Sequence, residues 1–219
     1  MRFSESVSAK EMRHMLDKIH WLGQAAFCIE SEESTVYIDP YELKRDKPKA
    51  DVILISHGHF DHCSSYDIEK IYKPDTVIIA SAEVRNALSL PVRVAKPGAK
   101  MTVGNIEIEA VPAYNISKSF HPASDGNLGF VIQFNQIRIY HAGDTDLIPE
   151  MSQIKANIVL LPVAGTYTMN AQEAAEAANI INPDIAIPMH WGSVVGSRKD
   201  AQDFQRLCKC AAKIIEQER

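Results

Sequence analysis

The stretch Val52-Ile53-Leu54-Ile55-Ser56-His57-Gly58-His59-Phe60-Asp61-His62 decides how the rest of the chain is read. Its first part is an apolar run of strand length, which predicts a strand buried on both faces. The six residues after Ser56 hold three imidazoles and one carboxylate. A segment that short and polar is no core element. Imidazole with carboxylate is the donor set of a borderline divalent cation, zinc first. Gly58 lets the loop turn tightly, so that His57 and His59 can address one ion while Asp61 and His62 address a neighbouring position.

Two further apolar strands deliver the same kinds of group just past their ends. One ends at Tyr140 and runs into His141-Ala142-Gly143-Asp144-Thr145. The other, Ile185 to Pro188, runs into Met189-His190-Trp191-Gly192. If these strands are neighbours pointing the same way, their ends converge on one edge, which is how a rigid scaffold assembles a site from loops. Asp144 has two oxygens and could bridge two ions; His190 could close the second site. The loop Ala164 to Thr168 follows another apolar strand and precedes a helix, so its hydroxyls and N–H groups either bind an anionic substrate or cap the helix.

The remaining pattern alternates. Ser8 to Lys18 reads as an amphipathic helix with Ser8 and Glu11 as a capping box. Ile19 to Leu22, Ala25 to Glu30 and Thr35 to Ile38 read as strands, and Asp39-Pro40 opens a polar loop through Lys49. Then come a helix (Tyr66 to Tyr72), a strand (Thr76 to Ala80), a helix (Glu83 to Leu88) and a short strand (Val92 to Ala95). Met101 to Val111 carries two strands around Gly104-Asn105, and Leu128 to Tyr140 is a hairpin around Asn135-Gln136. Asn157 to Val163 is a strand, Asn170 to Ile181 a helix capped by Asn170, and Asp200 to Glu218 the last helix. No repeat, linker or low-complexity tract interrupts residues 1–219, so the chain is expected to form a single domain of many strands with helices outside.

Composition excludes several classes. The 219 residues carry 28 acidic against 23 basic side chains, for a formal net charge of -5. No basic excess exists to neutralise a phosphate backbone, so nucleic acid is not the expected partner. No segment approaches the ~18 apolar residues of a membrane helix. The N-terminus, charged from Arg2 and Glu5 through Lys18, lacks the apolar middle of a secretory signal. A cytoplasmic protein is expected. Cys28, Cys63, Cys208 and Cys210 do not space like a disulfide framework or a cysteine-rich zinc site.

His57-x-His59-x-Asp61-His62, followed by Gly143-Asp144-Thr145 and then His190, resembles the metallo-β-lactamase superfamily over nearly the whole chain. Val111-Pro112-Ala113-Tyr114-Asn115, Leu161-Pro162-Val163 and Ile187-Pro188-Met189-His190 are similar to its branch of small metal-dependent hydrolases related to ascorbate-phosphate lactonase. The resemblance implies an α/β fold: a four-layer αββα sandwich of two mixed sheets flanked by helices, with a two-metal hydrolytic centre along one edge. His57, His59 and His121 would hold the first ion. Asp61, His62 and His190 would hold the second, and Asp144 would bridge. The cofactor expected is two zinc ions, with manganese as the alternative. A water between them, its pKa lowered toward ~7, would attack a small ester, lactone or phosphoester. Asp61 would orient it and relay a proton.

The family's third histidine for the first metal is replaced here by Asn115. His121, six residues on, is expected to fold back into the vacancy. The alternatives are a poorly filled first site, or a harder ion assisted by Asn115. If His121 is not a ligand, it is the acid for the leaving group. His141 and Cys63 are expected beside the ligands, Trp191 and Tyr114 as apolar walls, and Gln24 near the edge. The substrate is expected to be a small molecule, anionic if the 164–168 loop binds it; the oligomeric state is left open.

Other readings compete. A nuclease or phosphodiesterase of the same superfamily would want an inserted nucleic-acid domain, and residues 145–189 leave no room for one. A glyoxalase-like thioesterase would want a helical domain after His190. A di-iron oxygen- or nitric-oxide-reducing protein would want a carboxylate where His59 stands. A metal-binding non-enzyme with a degraded first site rests on Asn115 alone.

Overall fold

The computed structural model describes residues 7–44 and 47–218; Arg2, Glu5, and Arg45 and Asp46 of the polar loop lie outside them. Helix α1 (Ala9–Leu16) opens the description, with Ser8 and Glu11 forming the expected capping box. The first sheet is six-stranded: β1 (Ile19–Gly23), β2 (Ala26–Glu30), β3 (Thr35–Ile38), β4 (Val52–Ile55), β5 (Val77–Ala80) and β6 (Val92–Val94), side by side in chain order. Helix α2 (Ser65–Ile71) connects β4 to β5, and α3 (Ala82–Ala87) connects β5 to β6. β1 to β3 are antiparallel, whereas β3 to β6 run parallel.

The second sheet is seven-stranded. It contains β7 (Lys100–Val103), β8 (Ile106–Pro112), β9 (Leu128–Phe134), β10 (Ile137–His141), β11 (Ile158–Pro162), β12 (Ile185–Met189) and β13 (Ala211–Ala212), again in chain order across the sheet. β7 to β10 are antiparallel and β10 to β13 parallel. The crossovers from β11 to β12 and from β12 to β13 are made by α4 (Ala171–Ile181) and α5 (Arg198–Leu207), and that from β10 to β11 by a loop with one short 3-10 turn, Pro149–Gln153.

The period-two alternation of strand side chains sets the layers. In β4, Ile53 and Ile55 pack with Ile68 and Ile71 of α2 and Val84 of α3. Val52 and Leu54 face the other way, into a core shared with Phe130, Ile132 and Ile139 of the second sheet. That core continues to Ala174, Ala177 and Ala178 of α4 and Phe204 of α5. The result is helix, sheet, sheet, helix, as the resemblance implies. β4 is buried along its whole length because both its faces are covered. Each large aliphatic side chain so buried contributes about 1.5–3 kcal/mol relative to exposure. Among the described residues no helix is long and apolar enough to cross a membrane.

The two parallel sets bring their C-terminal ends together. The Leu128 N–H at the start of β9 donates to Ser56 O just past β4 (3.0 Å), and the His190 N–H past β12 donates to Gln24 O after β1 (2.8 Å). Thus the loops after β3, β4, β10, β11 and β12 share one edge of the sandwich.

One element departs from expectation. The helix predicted over Asp200 to Glu218 ends at Leu207, and Cys208 is already extended. Lys209 N–H donates to Asn179 Oδ1 (2.8 Å) instead of continuing the helix. β13 then pairs with the otherwise open edge of β12, and Lys213 N–H donates to Ala186 O. The tail crosses back to the first sheet, where Glu218 N–H reaches Trp21 O (2.8 Å). Cysteine is a poor helix former, and an edge strand with unpaired backbone groups offers a better place for this segment than a further helical turn.

Candidate metal centre

The donors are held from behind. Asp39, directly after β3, accepts the Ser56 backbone N–H (2.7 Å) and the Ser56 hydroxyl (2.7 Å). It also accepts Nδ1–H of His62 (2.7 Å). Because the Ser56 hydroxyl spends its hydrogen on Asp39, its oxygen accepts from His57 Nδ1–H (2.9 Å). One buried carboxylate therefore sets two histidines with Nδ1 protonated and Nε2 directed at the centre, the usual way a histidine is readied for metal.

His121 is set in the same sense from another element. It sits at φ 57° on the loop between β8 and β9. Its Nδ1–H donates to Tyr167 O (3.3 Å). Asn115 ties this loop closed. Its backbone N–H donates to His121 O (2.7 Å), and its side-chain amide donates to Phe120 O (2.8 Å) and Tyr167 O (2.7 Å). Asp146 secures the loop's other limb by accepting Ile116 N–H (2.9 Å) and pairing with Lys118. His121 is thereby brought beside His57 and His59, and the Asn115 amide nitrogen is spent on holding the loop that carries it.

The donor atoms gather in two outer groups, joined by a third made of His57, His62 and Asp144. His59 Nδ1 lies 3.0 Å from His57 Nε2 and 3.0 Å from His121 Nε2. Asp61, His62 and His190 make the second group. Asp144 stands between them. Its Oδ1 is 3.2 Å from His190 Nε2 and 3.4 Å from His62 Nε2, while its Oδ2 is 3.7 Å from His121 Nε2. All seven residues singled out in the sequence are thus brought together. Gly143 makes the placement of Asp144 possible. It sits at φ 64°, and a Cβ there would meet Leu128 O at 2.7 Å.

Charge is divided unevenly over the centre. Burial, with imidazole neighbours, holds His57 well below the usual histidine range, and burial likewise lowers His121. Burial opposes protonation of His62 and His190 too, but there the carboxylates prevail. Asp144 and Asp39 push His62 well above its ordinary value, and Asp144 with Asp61 raises His190 to about 9. Burial would raise Asp144, yet the facing His190 and His62 hold it well below the carboxylate range.

The donor set fits divalent cations. His62 Nε2 and Asp144 Oδ1, buried and facing each other at 3.4 Å, are paired by charge but reach no good hydrogen-bond geometry, the kind of under-satisfied atoms that an ion would complete. His59 Nδ1 lies 3.0 Å from each of its two partner nitrogens, close to the ~3.3 Å edge of a tetrahedral zinc site with nitrogen ligands. Nitrogen-rich and mixed nitrogen–oxygen sets suit zinc before harder ions.

Several neighbours have other duties. His141 donates Nε2–H to Ala25 O (2.9 Å) and accepts Gly143 N–H at Nδ1 (3.2 Å), so both ring nitrogens are used in support. Trp191 stacks on Trp21 with centroids 4.6 Å apart, and the Tyr114 hydroxyl donates to Glu150 (3.0 Å), so neither is the apolar wall expected of it. Cys63 packs into the outer core beneath the helices, and burial pushes its thiol up to about 11. A cavity of about 200 Å³ opens over the donors, and its apolar walls are Phe60, Phe120, Tyr167 and Val194. Of the 164–168 loop, Gly165 N–H and the Thr168 hydroxyl both bond Met169 O, and Tyr167 lines the cavity.

The sequence reading missed Asp39 and Ser56. Their signal was available: Asp39 directly follows a strand parallel to β4, the same strand-end rule that found Asp144 and His190. Gln24, given little weight from sequence, is fully buried, and its amide donates to Asp61 Oδ2 (2.9 Å).

The chain is similar to known proteins along most of its length. The family described as "Beta-lactamase superfamily domain" matches residues 18–190. A UPF0173 metal-dependent hydrolase of Archaeoglobus fulgidus is 32% identical, over 91% of this chain and 94% of the relative. Another, from Thermoplasma acidophilum, is 35% identical over 87% of this chain and 90% of the relative. A solved structure from Parabacteroides distasonis, titled as a metal-dependent hydrolase, superposes with a TM-score of 0.83 at 32% identity, covering 91% of this chain and 93% of its own. The chain therefore belongs to the β-lactamase superfamily and, within it, to the UPF0173 metal-dependent hydrolases.

Proposed function

We propose that this metal-dependent hydrolase is binuclear and cleaves a small ester, lactone or phosphoester. The observation that carries the reading is Asp144, buried between two groups of three donors with one oxygen toward each. His57, His59 and His121 would hold one ion and Asp61, His62 and His190 the other, with zinc preferred over manganese by the donor chemistry. Bound there, the ions would supply Lewis acidity and lower the pKa of an attacking water toward ~7.

The chain's own residues do the rest. Asp61 lines the cavity and is fixed through one oxygen by Gln24, so it can orient the attacking water and take its proton. The water oxygen bonds to the carbonyl carbon or phosphorus, the bond to the leaving oxygen breaks, and the proton passes from Asp61 to that oxygen. His121 is read as a ligand, since Nδ1 is engaged by Tyr167 and Nε2 faces the other donors. Three donor residues gathered at the first position favour this reading over a degraded site. The cytoplasm is the proposed compartment, in keeping with four cysteines that are free thiols.

The test is pH-stat hydrolysis of an ester, lactone and phosphodiester panel. Activity lost on chelation, restored by zinc or manganese, and reduced ~10²-fold or more in Asp61→Asn is expected. Activity indifferent to chelation would overturn the reading.

A further inference from the structure

The walls of the cavity narrow the substrate. Phe60 is 64% exposed, Phe120 47% and Val194 39%, an unusual display of large apolar side chains around one opening. Their positions are fixed by the donors themselves: Phe60 stands between His59 and Asp61, and Phe120 immediately precedes His121. Neighbouring rings hold them further. Phe120 meets Tyr167 edge-on at 4.9 Å, and Phe60 meets Tyr41 edge-on at 5.9 Å. No lysine or arginine lines the cavity among the described residues. Lys118, on the same loop as Phe120, is engaged by Asp146. An anionic tail would therefore lose hydration against apolar rings without gaining a counter-charge, which is costly.

We infer that the part of the substrate remote from the scissile bond is uncharged and apolar, about the size of a phenyl ring on a one- or two-carbon tether. The inference rests on the hydrolytic reading above and specifies what that centre acts on. Size follows from volume. The cavity measures about 200 Å³, and an apolar cavity of ~150 Å³ accommodates benzene. The scissile group meets the donors at the floor, and the apolar group lies along Phe60, Phe120, Tyr167 and Val194. Each methylene equivalent so buried is worth about fourfold in affinity, so a ring exceeds tenfold.

The test uses a ligand that cannot be hydrolysed. Calorimetric titration compares 4-phenyl-2-butanone with its ring-sulfonated counterpart on the protein as purified and after chelation. The uncharged ketone is expected to bind at least about tenfold more tightly. Phe120→Ala should abolish that preference and Val194→Lys should reverse it, while Tyr66→Ala, an exposed aromatic that does not line the cavity, should leave it unchanged. Equal or tighter binding of the sulfonate, or binding of neither, overturns the inference. Hydrolysis of methyl 3-phenylpropanoate and methyl acetate then separates the two readings. A ketone preference without cleavage of any panel substrate would leave the apolar cavity standing and refute the hydrolytic reading. Cleavage of both esters at equal kcat/KM would do the reverse.

Discussion

Replacing Asn115 with alanine isolates what its side-chain amide does for the first group of donors. The substitution removes two amide hydrogen bonds, to Phe120 O (2.8 Å) and Tyr167 O (2.7 Å), and leaves its backbone bond to His121 O in place. At about 1 kcal/mol net for each bond, the closed loop loses about 2 kcal/mol. For a chain of this size that lowers Tm by about 4–8 °C. The same energy was holding His121 Nε2 3.0 Å from His59 Nδ1, so the first ion must now order the loop on binding. Whatever part of that about 2 kcal/mol the metal-free protein escapes by opening the loop falls on metal binding instead, so the first site weakens by up to roughly thirtyfold as the loss in Tm shrinks. Competition against a chromophoric chelator reads the affinity, and calorimetry of the metal-free protein reads Tm. A variant with lowered Tm and wild-type affinity at both sites would refute the claim that Asn115 presents His121 to metal.

Other perturbations address the remaining supports. Asp39→Asn should weaken metal binding by about 10–100-fold, read by the same competition, because it disturbs the hydrogen bonds that orient His57 and His62. Gly143→Ala places a Cβ 2.7 Å from Leu128 O at a positive φ and should cost about 2–4 kcal/mol in denaturant unfolding. In the metal-free protein His190 titrates near 9 against an ordinary 6.5. Its pairing with Asp144 therefore stabilises the metal-free fold fully below about 6.5 and is lost as pH rises through 9. Metal must displace that proton, so the Tm gap between loaded and metal-free protein should widen from pH 6.5 to 9, and metal loading at pH 7.5 should release protons into weak buffer.

The centre was legible because its chemistry is local. Three histidines and an aspartate within six residues, preceded by an all-apolar strand, announce both the strand and the site, and the same strand-end pattern located Asp144 and His190. His121 was legible only through the family resemblance, since its approach depends on Asn115 and Tyr167, contacts that span 46 residues or fewer in chain but no fixed motif. Asp39 escaped notice because a lone aspartate before proline reads equally well as a turn. The last helix was overextended because helical pattern after Leu207 is weak evidence against an open sheet edge, which only the assembled second sheet reveals. The aromatic walls were assigned to Trp191 and Tyr114 because aromatic character says nothing of direction. Phe60 and Phe120 stand in the cavity because the backbones that turn His59 and His121 inward also place their neighbours at its rim.

Elemental analysis of the protein as purified, with His121→Ala beside it, tests the binuclear centre most directly. Two equivalents of zinc or manganese in the wild type, falling by about one in the variant, is the result this account predicts. One equivalent or none in the wild type, or a variant that keeps both, would contradict it.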